Sequence, residues 1–154
     1  MFIWSVKLNR NLVWGICAAL CLSIGGVAAF APKNAAGVLK TNVDPSVKNV
    51  KDQVEFLQSF GYTAEEDPVL IEEVVIPTEF DAQYDQYNEL QKISGFDLSK
   101  HKGRYVKKYT YKIKNYPDFT GAVVANLLIY KGKVIGGDVS SAELNGFTHG
   151  LIKE

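Results

Sequence analysis

The chain has 154 residues, and its seventeen basic and seventeen acidic side chains cancel at pH 7. All the acids and fifteen of the bases lie beyond residue 31, which leaves that part near −2. This argues against a general nucleic-acid or membrane-surface binder.

First in chain order is an unbroken apolar run from Leu12 to Ala31, LVWGICAALCLSIGGVAAFA, with Lys7 and Arg10 before it and Lys33 after. Twenty residues at about 1.5 Å each reach roughly 30 Å, the hydrocarbon thickness of a bilayer. A basic cytoplasmic flank over residues 1–11 orients such a helix with its N-terminus inside, so that the C-terminal part faces outward. The expectation is a single-pass membrane anchor over residues 12–31. The alternative is a cleaved signal peptide and a secreted protein. Ala29-Phe30-Ala31 has the required small-residue form and Val27-Ala28-Ala29 is a second such site. Against cleavage, Pro32 would follow the scissile bond, and the run exceeds the usual signal-peptide core. A lipoprotein anchor does not fit, because Leu20 is too large for the position before Cys21.

Cys17 and Cys21 both fall inside the apolar run, where they read as small lipid-facing residues, and the outward part has no cysteine for a disulfide framework. Gly15, Ala19 and Ser23 form a small-residue stripe through which a homodimer could pack in the membrane.

Residues 32–43 read as a polar linker, and residues 44–154 are long enough for one domain with a single core. Charge in that domain is segregated. Asp44 to Asp97 carry thirteen acids against Lys48, Lys51 and Lys92, whereas Leu98 to Lys133 carry nine bases against Asp118. The simpler expectation is that the two halves lie side by side and neutralise each other. The alternative is two faces offered to different partners.

Asp44 and Pro45 have the form of a helix N-cap and first helical residue, and Val47, Val50, Val54 and Leu57 give one apolar face up to a stop at Gly61. Val69 to Ile76 reads as a strand ended by Pro77. Thr78 is placed to cap a second helix running to about Ser94, with Phe80, Tyr84, Tyr87 and Leu90 as its buried stripe and Gly95 as its end. Asn88 and Gln91 beside that stripe suit hydrogen bonds to strand ends, or alternatively the polar rim of a pocket. Asp97 suits the cap of a turn over Leu98–Lys102.

Gly103 to Tyr116 alternates, with Tyr105, Tyr109, Tyr111 and Ile113 on one parity and Arg104, Lys108, Lys112 and Lys114 on the other. This predicts a half-exposed strand with a basic outer face. Ala122 to Tyr130 predicts a strand central in the sheet or covered on both sides. Lys131-Gly132-Lys133 is a tight turn into a strand over Val134–Ser140, which Gly136-Gly137 interrupts with a bulge. The fold class is therefore α+β: a transmembrane helix, then a helix and an antiparallel sheet in the order β-α-β-β-β. That is the element order of cystatin-like folds, with no shared motif and no implication for function.

Tyr87-Asn88-Glu89-Leu90-Gln91, Gly95-Phe96-Asp97-Leu98, Lys112-Ile113-Lys114-Asn115-Tyr116-Pro117, Val134-Ile135-Gly136-Gly137-Asp138, Gly146-Phe147 and His149-Gly150 together resemble the uncharacterised bacterial domain-of-unknown-function family forty-eight thirty. The resemblance spans about residues 50–152. It implies an N-terminal hydrophobic segment followed by one small domain, mainly in Firmicutes, and brings no activity and no catalytic residue.

The residues themselves offer little chemistry. His101 and His149 lack the short-spaced ligand pairs of a metal centre, and no cofactor motif is present. Ser140 or Ser141 with His149 and Asp138 would make a nucleophile set, but no nucleophile elbow supports it. Asp138 suits a structural role, accepting hydrogen bonds from the following loop and closing the Asn145–Gly150 tail onto the sheet.

The leading expectation is a non-enzymatic binding or regulatory module, anchored at a membrane and facing outward. Its partner, an envelope or membrane protein or an anionic envelope polymer, would meet Arg104, Lys108, Lys112 and Lys114 or the open sheet edge by strand addition. The alternative is a small enzyme or ligand-binding domain with its site near Asp138 and His149.

Overall fold

A computed structural model describes residues 43–117, 119–143 and 146–152. The expected anchor over residues 12–31 and the linker up to residue 42 lie outside the described residues. Among the described residues, no helix is long and apolar enough to cross a membrane.

The architecture is α+β. Helix α1 (Val50–Ser59), strand β1 (Leu70–Val75), helix α2 (Ala82–Ile93) and a 3-10 turn (Leu98–His101) precede strands β2 (Tyr105–Ile113), β3 (Val123–Tyr130), β4 (Lys133–Ser141) and β5 (Thr148–Gly150). The strands form one antiparallel sheet in the spatial order β1-β2-β3-β4-β5. Every strand therefore pairs with its sequence neighbours, and β1 and β5 are the edges.

Helix α1 begins later than the Asp44-Pro45 pair suggests. Its N-cap is Asn49, whose side chain accepts the Asp52 N–H at 2.9 Å. Asp44 instead accepts the N–H of Ser46, which holds its carboxyl below the usual range. Long-range pairing overrides the local cap. Val47 donates to the Gly132 carbonyl and Val134 to the Pro45 carbonyl, both at 2.8 Å, so residues 45–47 lie against the β3–β4 turn.

The two helices end alike. Gly61 (φ +85°) and Gly95 (φ +86°) take the left-handed conformation, and the N–H of the next residue, Tyr62 or Phe96, reaches back to the carbonyl of Leu57 or Gln91. This closure satisfies carbonyls that would otherwise lack a partner, and only glycine adopts it without strain.

Helix α2 also starts later than expected. Asp81, not Thr78, supplies the cap by accepting the Tyr84 N–H at 2.8 Å. Its inward face is more polar than the aromatic spacing suggests. Phe80, Tyr84, Tyr87 and Leu90 are only half-buried, while Asn88, Gln91 and the C-cap Ser94 are buried. The polar residues go inside because each has a distant partner. Asn88 Oδ1 accepts the Leu98 N–H, and Gln91 Oε1 accepts the Gly137 N–H, both at 2.7 Å.

The sheet is covered on both faces. On the first, Phe56 and Leu57 of α1 pack with Tyr111, Ile113, Ala125, Leu127 and Val139. On the second, Ile76, Leu98, Val106, Leu128 and Ile135 gather with Phe80, Tyr84 and Tyr87. Strand β3 is central and nearly continuous in burial, as its apolar run predicts.

Double coverage corrects the expected alternation of β2. Val106 and Thr110, on the parity assigned to solvent, are buried, whereas Tyr105, on the parity assigned to the core, is 69% exposed. Each end of β2 has lost its cover on one face only, so burial changes along the strand as well as across it.

The Lys131-Gly132 turn has both residues at positive φ, +49° and +74°, which suits the twist of a two-residue hairpin. The expected bulge lies in β4, where the register shifts opposite Leu128 and Ile129. A Cβ on Gly136 would stand 2.9 Å from Gln91 Oε1, and one on Gly137 would stand 2.7 Å from the Asn126 carbonyl oxygen. Close approach by α2 and β3 thus requires the glycine pair.

The tail closes onto the sheet by a backbone ladder, not through Asp138. Strand β5 pairs residue by residue with Asp138, Val139 and Ser140. Three residues are too few to carry a periodic signal, which is why this strand escapes the sequence pattern.

Candidate functional site

The four basic residues expected to form one outer face are not equivalent. Lys108 is withdrawn, its side chain 15% exposed and its Nζ 3.1 Å from Glu72 Oε2 on β1. Arg104, Lys112 and Lys114 are exposed, but Arg104 precedes the strand and Lys114 follows it. Buried Val106 and Thr110 interrupt the row. Acidic β1 lies against basic β2, with Glu72 opposite Lys108 and Glu73 opposite Lys107. The charge-segregated halves therefore meet side by side, as the simpler expectation holds.

Asp138 and His149 stand on adjacent strands but face opposite ways. The register sets Asp138 opposite Gly150 and His149 opposite Val139, so their side chains leave the sheet on different faces. Asp138 is 2% exposed and sits in a row across the second face. Asn126 Nδ2 donates to both its oxygens, at 2.9 and 3.3 Å, and the Tyr87 hydroxyl donates at 3.4 Å. Thr110 in turn donates to Asn126 Oδ1 at 2.8 Å. Burial raises the Asp138 pKa, opposed by the Asn126 hydrogen bond, the Lys108 charge, the Tyr87 hydroxyl and His149. A carboxyl this enclosed, with donors already in place, can hold a proton and fix neighbouring strands.

His149 belongs to an aromatic stack with Phe147 and Tyr116 on the first face. Its Nδ1 lies 2.6 Å from the Gly150 carbonyl, and its Nε2 lies 2.9 Å from the Tyr116 hydroxyl. A carbonyl only accepts, so the neutral ring carries its proton on Nδ1 and takes the tyrosine hydrogen at Nε2. His101 packs edge-on against Tyr130, and burial lowers its pKa. No group of three His, Cys, Asp or Glu side chains suited to a metal ion occurs among the described residues.

The most accessible feature is the β1 edge. Exposed large apolar side chains among the described residues are Val69, Leu70, Ile71, Val75, Ile93 and Tyr105, and all but Ile93 lie on β1 or the residues flanking and facing it. Ile76 donates its N–H inward to the Arg104 carbonyl, so the alternation of an antiparallel ladder turns the backbone groups of Ile71, Glu73 and Val75 outward. The β-branched composition of residues 69–76 signals the strand itself. Its edge position is not legible, because pairing order depends on residues thirty or more positions away.

A protein-family model described as a domain of unknown function, DUF4830, matches residues 56–139. The match takes in β1 to β3, α2, most of β4 and the last turn of α1. No curated protein and no solved structure matches the chain.

Proposed function

The chain belongs to the DUF4830 family, and from that premise we propose that it is a non-enzymatic binding module, held at the outer side of a membrane by residues 12–31, which captures an extended segment of an envelope protein along β1. The carrying observation is the concentration of exposed apolar side chains on one edge strand whose outward backbone groups have no strand beside them among the described residues. Soluble proteins normally blunt such an edge, and a long apolar one is a template for strand addition.

Charge narrows the occupant. Glu72 and Glu73 lie on β1, Glu65, Glu66 and Asp67 precede it, and Glu79 and Asp81 follow. An antiparallel second copy centred on this strand would set Glu73 against its own counterpart, which like charges oppose. An apolar segment bearing lysine or arginine complements the edge instead. The enclosed Asp138 and the separation of Asp138 from His149 weigh for this reading over an enzyme at those residues.

The experiment is crosslinking in intact cells followed by affinity capture of tagged full-length protein, for the native chain and for Ile71→Pro. Proline at this outward-facing N–H removes a donor to an added strand and leaves the β1–β2 ladder intact. Capture of a stoichiometric envelope protein by the native chain, reduced at least tenfold in Ile71→Pro at an unchanged melting temperature, is expected. Equal capture by both chains would overturn the edge reading.

A further inference from the structure

Helix α1 covers only part of the first sheet face. Between its N-terminal end, the start of β2 and the β3–β4 turn lies a groove of about 410 Å³. That volume falls within the range of small-molecule sites. Ile129 and Gln53, 9% and 5% exposed, lie on its floor. The Tyr111 hydroxyl donates to Gln53 Oε1 at 2.5 Å, which commits the oxygen and leaves the amide nitrogen as the end able to meet an acceptor. Tyr105 and Tyr109, both on β2 and of one parity, supply an aromatic shelf.

Three cations from three separate elements line this groove. Lys48 precedes α1, Lys107 lies between the two tyrosines on β2, and Lys131 occupies the β3–β4 turn. All three are exposed. The one carboxylate in the lining, Glu73, stands opposite Lys107 on the β1 side, so the lining keeps a net charge of +2. Separated lysines act as point charges that surround a compact, multiply charged oxygen cluster, while a planar carboxylate is better matched by the fork of an arginine.

We propose that this groove binds a small phosphate ester, with Lys48, Lys107 and Lys131 around the phosphate and an apolar or aromatic body resting on Tyr105 and Tyr109. The site adjoins the β1 edge, with Glu73 and Tyr105 common to both, and uses none of the lysines first expected to bind. Arg104, Lys112 and Lys114 do not line it, whereas Lys107, next in sequence to Lys108, turns into it. The alternation of β2 holds that distinction, but only the folded position of Lys48 and Lys131 reveals the convergence.

The test is isothermal titration of the full-length chain at low salt with phenyl phosphate, inorganic phosphate and benzyl alcohol. Saturable binding of phenyl phosphate is expected, at least tenfold tighter than either of the other probes. Lys107→Gln combined with Lys131→Gln should weaken it at least tenfold. Lys92→Gln combined with Lys100→Gln, the same change in charge away from the groove, should leave it within twofold. Unaltered melting temperatures exclude unfolding, since all four side chains are exposed. No saturable binding, or an equal loss in both pairs, would overturn the site. Equal affinity for inorganic phosphate would overturn its assignment to an ester.

Discussion

The two faces of the sheet are built by different chemistry. Against α1 the contact is mainly apolar: Leu57 and Tyr111 are fully buried there with Ala125, Leu127 and Val139. Gln53 is the one buried amide there among the described residues, held by the Tyr111 hydroxyl. Against α2 it is largely polar, with Asn88, Gln91 and Ser94 facing a sheet that presents Thr110, Asn126, Asp138 and three glycines. An apolar face stabilises by the area it removes from water and tolerates small shifts. A polar one stabilises little in net terms, but it is costly to mismatch because each buried group must meet its partner. Helix α2 is thereby fixed in register on β4. Even so, Gln91 Nε2 is buried with no hydrogen-bond partner.

The difference predicts a graded response to substitution. Leu57→Ala, on the apolar face, should cost about 3–4 kcal/mol in urea unfolding, the transfer of a buried leucine plus its cavity. Asn126→Ala, on the polar face, should cost about 2–3 kcal/mol, because it strands the Asp138 carboxyl and the Thr110 hydroxyl together. A cost below about 1 kcal/mol there would mean that the row contributes no specificity. Gly136→Ala should cost about 1–2 kcal/mol by pressing on Gln91 and Leu98. Pairing it with Gln91→Ala should recover part of that loss if the glycine exists to admit the helix.

The smallest effects are in pH dependence, and they have opposite signs. Burial raises the Asp138 pKa, so the folded chain keeps this proton after the unfolded chain has released its own. Its contribution is therefore fully present below the unfolded pKa and declines as pH rises toward the folded value. Asp138→Asn should gain stability relative to the native chain as pH rises above about 4. Asp97 behaves in reverse. Hydrogen bonds from Ser99 and Asn88 bring its pKa down to about 2. Its contribution is present above the unfolded value and is lost as pH falls from about 4 toward 2. Asp97→Asn should flatten that acid limb in urea titrations at stepped pH, and an unchanged limb would remove Asp97 from the account.

These contrasts also show which parts of the chain declare themselves. Gly61, Gly95, Asp97 and the Lys131-Gly132 turn act through neighbours a few residues away, so local rules place them. The central position of β3 follows from an apolar run too long for a half-exposed strand. Asp44-Pro45 satisfies a local rule as well, but the backbone of residues 45–47 finds partners at residues 132–134. Asn88 and Gln91 read first as hydrogen-bonding residues, which they are, but the identity of their partners, Leu98 and Gly137, is settled only by the fold. For the same reason Lys48 and Lys131 carry no signal of a shared groove.

Strand β5 has one more consequence, for the order in which the chain acquires structure. Gly150 abuts the Leu90 carbonyl and Ser94, Leu151 is fully buried in the cluster beneath α1, and Ile152 donates to Ser94 Oγ across 58 residues of sequence. Helix α2 therefore leaves the ribosome well before the surface that seats it exists. Until residues 148–152 arrive, its polar face is best satisfied by water, and it has little reason to settle wrongly on the apolar side of the sheet. The amides of Asn88 and Gln91 meanwhile keep water as their hydrogen-bond partner, so the part of the helix that closes last is the part that water serves best in the interval.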